Sequence, residues 1–173
     1  MLSLFTDRNR RTLKFVFASA CLISCLSAFE AQATTTTSTF TVQITITASC
    51  VINSATTLNF GSQGVLTANV DQTSAIAVQC TNTTPYNIGL NAGTGSGATV
   101  AVRKMTSGGN TINYALYSDS GRTTIWGNTV GTDTVAATGS GASQSYTVYG
   151  RVPPQMTPAP ATYTDTVTVT VTY

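Results

Sequence analysis

The sequence predicts an all-β protein, a sandwich of short strands. Three observations predict it. Charged residues make up only 8% of the 173, too few to give long amphipathic helices a charged outer face. Apolar and polar residues instead alternate with a period of two through most of the chain after residue 39, the pattern of strands with one buried face. Gly, Pro, Asn and Asp interrupt these runs at short intervals, as the turns of a sandwich of immunoglobulin-like size require.

A leader precedes the sandwich. Arg8, Arg10, Arg11 and Lys14 come before the apolar run Phe15–Phe29, and Ala31-Gln32-Ala33 follows it. Basic, then apolar, then small and cleavable is the order of a secretory signal peptide. The apolar run is shorter than the ~20 residues that cross a bilayer, although an uncleaved signal anchor shares the same order. Leu22-Ile23-Ser24-Cys25 is a competing lipoprotein site, where the Cys25 thiol would take a lipid. Cleavage after Ala33 divides the chain into a signal peptide (1–33), a polar leader with one strand-like segment (34–47) and a single domain (48–173).

The mature chain would keep Arg103, Lys104, Arg122 and Arg151 against Asp71, Asp119, Asp133 and Asp165. Its formal charge is zero, so the +2 of the full sequence belongs to the leader, and no basic patch points to nucleic acid. Cys21 and Cys25 leave with the signal. Cys50 and Cys80 remain, and an even pair in an exported chain reads as a disulfide, two buried free thiols being the alternative. Closing that loop stabilises the fold by roughly 3–4 kcal/mol.

The strands follow in order. Phe40, Val42, Ile44 and Ile46 alternate with threonines and Gln43. A second piece starts at Cys50, and Leu58-Asn59-Phe60-Gly61 ends in a turn. Ile76, Val78 and Cys80 form one face of a strand, and Tyr86, Ile88 and Leu90 form another after Pro85. Val100–Met105 and Ile112–Tyr117 flank Gly108-Gly109, a hairpin signal. Asp119–Arg122 is a turn before Trp126. Val130–Ser145, rich in Gly, Ser and Thr, predicts a long surface loop. Tyr146, Val148 and Gly150 alternate before Pro153-Pro154. Val167, Val169, Val171 and Tyr173 alternate with threonines in a last strand, Thr166–Tyr173.

The two ends stand out. Thr39–Thr47 has an apolar face and carries none of the Lys or Pro that usually blunts a free strand edge. The last strand runs to Tyr173 with nothing beyond it to supply a further edge. A segment such as Phe40–Ile46 makes sense if it pairs with a partner. Burying its four apolar side chains is worth about 6–12 kcal/mol. A strand donated to another copy's sheet makes a head-to-tail contact that does not close, and so builds a filament. The same pattern also suits the chain's own first strand.

Leu58-Asn59-Phe60-Gly61, Cys80-Thr81, Pro85-Tyr86, Tyr114–Asp119, Trp126-Gly127, Tyr149–Pro153 and Tyr163–Thr170 occur in an order and spacing that resemble the spore coat protein U domain family, the archaic (Csu-type) chaperone–usher pilins. The resemblance covers about Phe40 to Tyr173. It implies an incomplete immunoglobulin-like β-sandwich lacking its last strand, completed by donor-strand complementation. It further implies export through the periplasm to a cell-surface pilus that supports adhesion and biofilm formation. The implied partners are a periplasmic chaperone, an outer-membrane usher and neighbouring pilus subunits of the same or another kind. Phe40, Val42, Ile44 and Ile46 match the donor strand, Cys50 and Cys80 the disulfide, and Val167, Val169, Val171 and Tyr173 the strand that borders the acceptor groove.

Enzyme chemistry finds no support. There is no histidine, which removes Ser-His-Asp and Cys-His nucleophiles. No glutamate follows residue 30. Two cysteines without histidine do not make a zinc site, and Gly93–Gly97 lacks the lysine of a phosphate loop. No cofactor is expected. Two other functions fit the composition. One is a secreted, self-contained sandwich that binds glycans through its tyrosines and Trp126. The other is a coat or matrix protein assembling laterally through sheet edges.

Overall fold

The computed structural model describes residues 32–173. Residues 1–31 of the expected signal peptide, with the lipoprotein site at Cys25, therefore lie outside the described residues. Residues 32–49 carry no helix or strand, and eight strands follow: β1 Cys50–Ala55, β2 Val70–Cys80, β3 Pro85–Leu90, β4 Arg103–Ser107, β5 Asn110–Tyr117, β6 Val135–Thr138, β7 Ser143–Val152 and β8 Val169–Thr172. All pairings are antiparallel. One sheet has the order β1-β2-β7-β5-β4 and the other β6-β3-β8.

The period-two pattern sorts side chains as the sequence predicts. Ile76, Val78 and Cys80 of β2, Tyr86, Ile88 and Leu90 of β3 and Val148 of β7 point inward and are buried. Trp126 joins them, and its indole N–H donates to the Ile88 carbonyl (2.8 Å), which satisfies the one polar atom that burial would otherwise strand. Gly108-Gly109 makes the two-residue hairpin turn, with Ser107 opposite Asn110 and Gly108 at φ +57°. The Asp119 carboxylate accepts the Thr123 and Thr124 N–H groups, as expected for turn chemistry.

Four readings are corrected. Residues 40–47 are not a strand, and they pair with none among the described residues. The loop expected over Val130–Ser145 contains β6 and the start of β7. Val135 and Ala137 pack against the core while β6 pairs with β3, a two-position alternation too short to stand out from its Gly/Thr surroundings. β4 starts at Arg103 and not at Val100, because Thr99 and Val102 exchange backbone hydrogen bonds in a tight turn. The last strand is regular only over Val169–Thr172.

Arg103 is fully buried. Its guanidinium donates to four carbonyls: Asn91 (2.8 Å), Val100 (2.7 Å), Leu90 (2.9 Å) and Trp126 (2.7 Å). It thereby ties the end of β3 to β4 and to the segment entering Gly127. On the outer face of the larger sheet, Arg151 grips Asp71 bidentately (2.7 and 2.8 Å). That pair is half exposed and contributes about 1 kcal/mol at most.

Candidate functional site

The sandwich is open along one side. β1 is an edge of the larger sheet and β8 an edge of the smaller. The chain segments that continue these two edges form the walls of a groove of about 950 Å³.

The first wall is the continuation of β1. Thr56 still bonds to Ala75, by N–H to carbonyl (2.9 Å), and then the chain leaves β2. Leu58 and Phe60 turn inward and lie over Gly150 of β7. A Cβ on Gly150 would come within 2.7 Å of Leu58 Cδ1, so this glycine clears the space the wall occupies. Phe60 meets Tyr114 edge-on at 6.3 Å between ring centroids. Asn59 Oδ1 accepts the Gly61 N–H (2.8 Å), and Gly61 turns the wall at φ +72°, a left-handed conformation that suits glycine.

The second wall leads into β8. Thr164 exchanges backbone bonds with Thr106 of β4 (2.8 and 3.1 Å). Asp165 accepts from the Thr94 N–H (2.7 Å), the Thr94 hydroxyl (2.9 Å), the Thr166 N–H (2.7 Å) and the Tyr114 hydroxyl (2.7 Å). Thr168 donates to Asn91 Oδ1 (2.8 Å) and accepts from the Asn91 N–H (3.1 Å). Among the described residues, no hydrogen bond joins Thr57–Gly64 to Tyr163–Val169. The second wall is thus held from behind by Thr106, Thr94 and Asn91, and no main-chain hydrogen bond among the described residues bridges the two walls.

The floor is apolar: Ile76, Leu90, Met105, Ile112, Leu116 and Val148. Asp165 is the only charged residue in the lining. Burial pushes its carboxyl up, but the bonds from Thr94, Tyr114 and Thr166 outweigh burial and hold it below the usual carboxylate range. Burial and the Asp165 partner push the Tyr114 hydroxyl up, so this pair stays charged carboxylate and neutral phenol. The site offers an apolar trough between two walls that no hydrogen bond joins. Among the described residues, no cluster of three or more Cys, Asp or Glu is placed to hold a metal.

The expected border residues divide. Val167 and Val169 line the groove, while Val171 packs against the core beyond it and Tyr173 is 59% exposed past the end of β8. The lining ends at Val169, where the second wall runs into β8, a strand that approaches β1 to within 8 Å, Cα to Cα. The expected donor residues are exposed: Phe40 87%, Val42 84%, Ile44 81% and Ile46 72%. Cys50 and Cys80 form a disulfide across the β1–β2 pair, which anchors the strand that becomes the first wall. The sequence reading did not find the floor residues or Asp165. The Leu-Asn-Phe-Gly signal marked the first wall as a turn, but nothing in the sequence told that Leu58 and Phe60 border an open trough.

Comparison with known proteins places this architecture. The Spore Coat Protein U domain profile matches residues 36–170. The chain is 34% identical to Protein U of Myxococcus xanthus over 93% of this chain and 98% of that one. Among solved structures it is similar to a chain of the CsuC–CsuE chaperone–tip adhesion subunit pre-assembly complex of the archaic chaperone–usher Csu pili of Acinetobacter baumannii. That match has a TM-score of 0.56 and 24% identity, and covers 75% of this chain and 41% of the other. It supports the pilin-type immunoglobulin-like sandwich as the fold. With a sequence profile spanning nearly all of the described residues and a full-length relative above 30% identity, the chain belongs to the Spore Coat Protein U domain family.

Proposed function

We propose that this protein is the structural subunit of a chaperone–usher pilus and polymerises by donor-strand exchange. Phe40–Ile46 of each copy fills the groove of the copy before it. The observation that carries the proposal is a mismatch of two halves within one chain. Among the described residues, an apolar trough lies between two walls that no hydrogen bond joins, and a segment with alternating apolar side chains has no strand partner. β-Augmentation would pair both wall edges and bury all four side chains. The contact is head-to-tail, so it propagates as a fibre.

The likeness to a chaperone–subunit complex supports a periplasmic chaperone that occupies the groove before assembly. An outer-membrane usher would then catalyse the exchange and export. The fibre would lie outside the cell and serve attachment and biofilm formation. The family's description also favours a second reading, a coat layer built through sheet edges. Electron microscopy separates thin linear fibres from layers.

The test is the full chain carrying Ile44→Asp and Ile46→Asp, co-expressed with its secretion partners. The proposal expects a folded, disulfide-bonded subunit that reaches the periplasm and forms no fibres. Fibres of ordinary length and number from that variant would overturn it.

A further inference from the structure

On the polymerisation reading, on which this proposal rests, a donated segment must leave the groove at a definite place. The groove is closed at one end. Its lining stops at Ala55 on one wall and Val169 on the other, where the walls run into β1 and β8, two strands that approach within 8 Å, Cα to Cα. A chain lying in the groove therefore exits at the opposite end, between Gly64 and Thr157–Pro158. This sets its direction. Phe40 lies toward Val169 and Ile46 at the mouth, antiparallel to the second wall.

At that mouth Val65 is 77% and Met156 93% exposed. They are held close together, because the Leu66 N–H donates to Thr157 Oγ1 (2.8 Å) and the Gln155 N–H donates to the Leu66 carbonyl (3.0 Å). Two large apolar side chains fixed at the rim of a binding groove mark a surface that something covers.

The tether says what covers it. Only Thr47, Ala48 and Ser49 separate Ile46 from Cys50, and the four Cα-to-Cα steps of that tether span at most about 14 Å. The disulfide end of the donating copy cannot lie farther than that from the mouth. In the free chain this end carries a shallow hollow of about 450 Å³ bordered by Val51, Thr81, Asn82, Gly141 and Ile46, with Val51 53% exposed; Ile46 leaves it on entering the neighbour's groove.

We propose that Val65 and Met156 of one copy dock against the disulfide end of the next copy of this chain. The contact fixes the angle between consecutive domains and makes the fibre stiff where the tether alone would leave it jointed.

The test places the photo-crosslinker p-benzoylphenylalanine at Met156 in the full chain, irradiates assembled fibres and maps the joined peptides. The proposal expects intermolecular links to residues 49–52, 79–82 or 139–141. Fibres carrying Val65→Asp and Met156→Asp should still assemble, with a persistence length reduced several-fold. Links that map elsewhere, or an unchanged persistence length, would overturn the proposal while leaving donor-strand exchange standing. Failure of the unmodified chain to form fibres would remove both.

Discussion

Phe40–Ile46 and Ile76–Cys80 are written in the same code. Each sets large apolar side chains at every second position among small or polar residues. In β2 those side chains are 0–3% exposed, and in the amino-terminal segment they are 72–87% exposed. The difference lies in the neighbours. β2 has β1 on one side and β7 on the other, while residues 40–46 have no strand partner. Alternation therefore states what a segment can do in a sheet, and the supply of free edges decides whether its own domain uses it. Here the free edges are the two walls of the groove.

The contrast is broken most strongly by placing the same change in both regions. Ile76→Asp with Val78→Asp puts two charges into the core and should unfold the domain outright, well beyond the ~4–5 kcal/mol that marks an exceptional substitution. Val42→Asp with Ile44→Asp should leave the stability of the monomer within about 0.5 kcal/mol of wild type, as exposed positions do, while abolishing assembly. Urea unfolding followed by the fluorescence of Trp126, the only tryptophan, reads the first effect, and light scattering reads the second.

Arg103→Met sharpens the buried side of the comparison. It strips donors from four carbonyls at the ends of β3 and β4 and beside Gly127. A loss of about 3–5 kcal/mol in the same unfolding experiment is expected. Cys50→Ser with Cys80→Ser releases the strand that leads into the first wall and should cost roughly 3–4 kcal/mol.

Asp165→Asn is the mildest. The carboxylate accepts four hydrogen bonds, so the amide should cost about 1–2 kcal/mol near pH 7. The pH dependence has a definite sign. The carboxyl is held below its ordinary value in the folded protein. Its contribution is thus fully present above the unfolded value of about 3.9 and is lost as the pH falls through the lower folded value. Unfolding curves between pH 6 and pH 2 should show a shallower acid limb for the Asn variant.

The fold was legible where side chains alternate in long runs. The inward alternation of Ile76–Cys80 in β2, Tyr86–Leu90 in β3 and Tyr146–Gly150 in β7, and the Gly108-Gly109 hairpin, follow from spacing and turn chemistry alone, while Val70–Ser74 and Ser143–Ser145 do not. β6 was not legible, because Val135 and Ala137 give only two inward positions. The burial of Arg103 was not legible either. An arginine between Val102 and Lys104 reads as surface, and its four carbonyl partners come from segments 3 to 23 residues away. The groove was legible only as a missing partner. Sequence pattern shows which residues want an edge, whereas the trough is made by what three-dimensional packing leaves out between Thr57–Gly64 and Tyr163–Val169.

Cryo-electron microscopy of the assembled polymer tests the central claim most directly. The account predicts residues 40–46 of each copy as a strand between Thr57–Gly64 and Tyr163–Val169 of its neighbour, with Phe40 nearest Val169 and all four apolar side chains over the groove floor. A map with that segment inside its own domain's groove, or outside any groove, would contradict it.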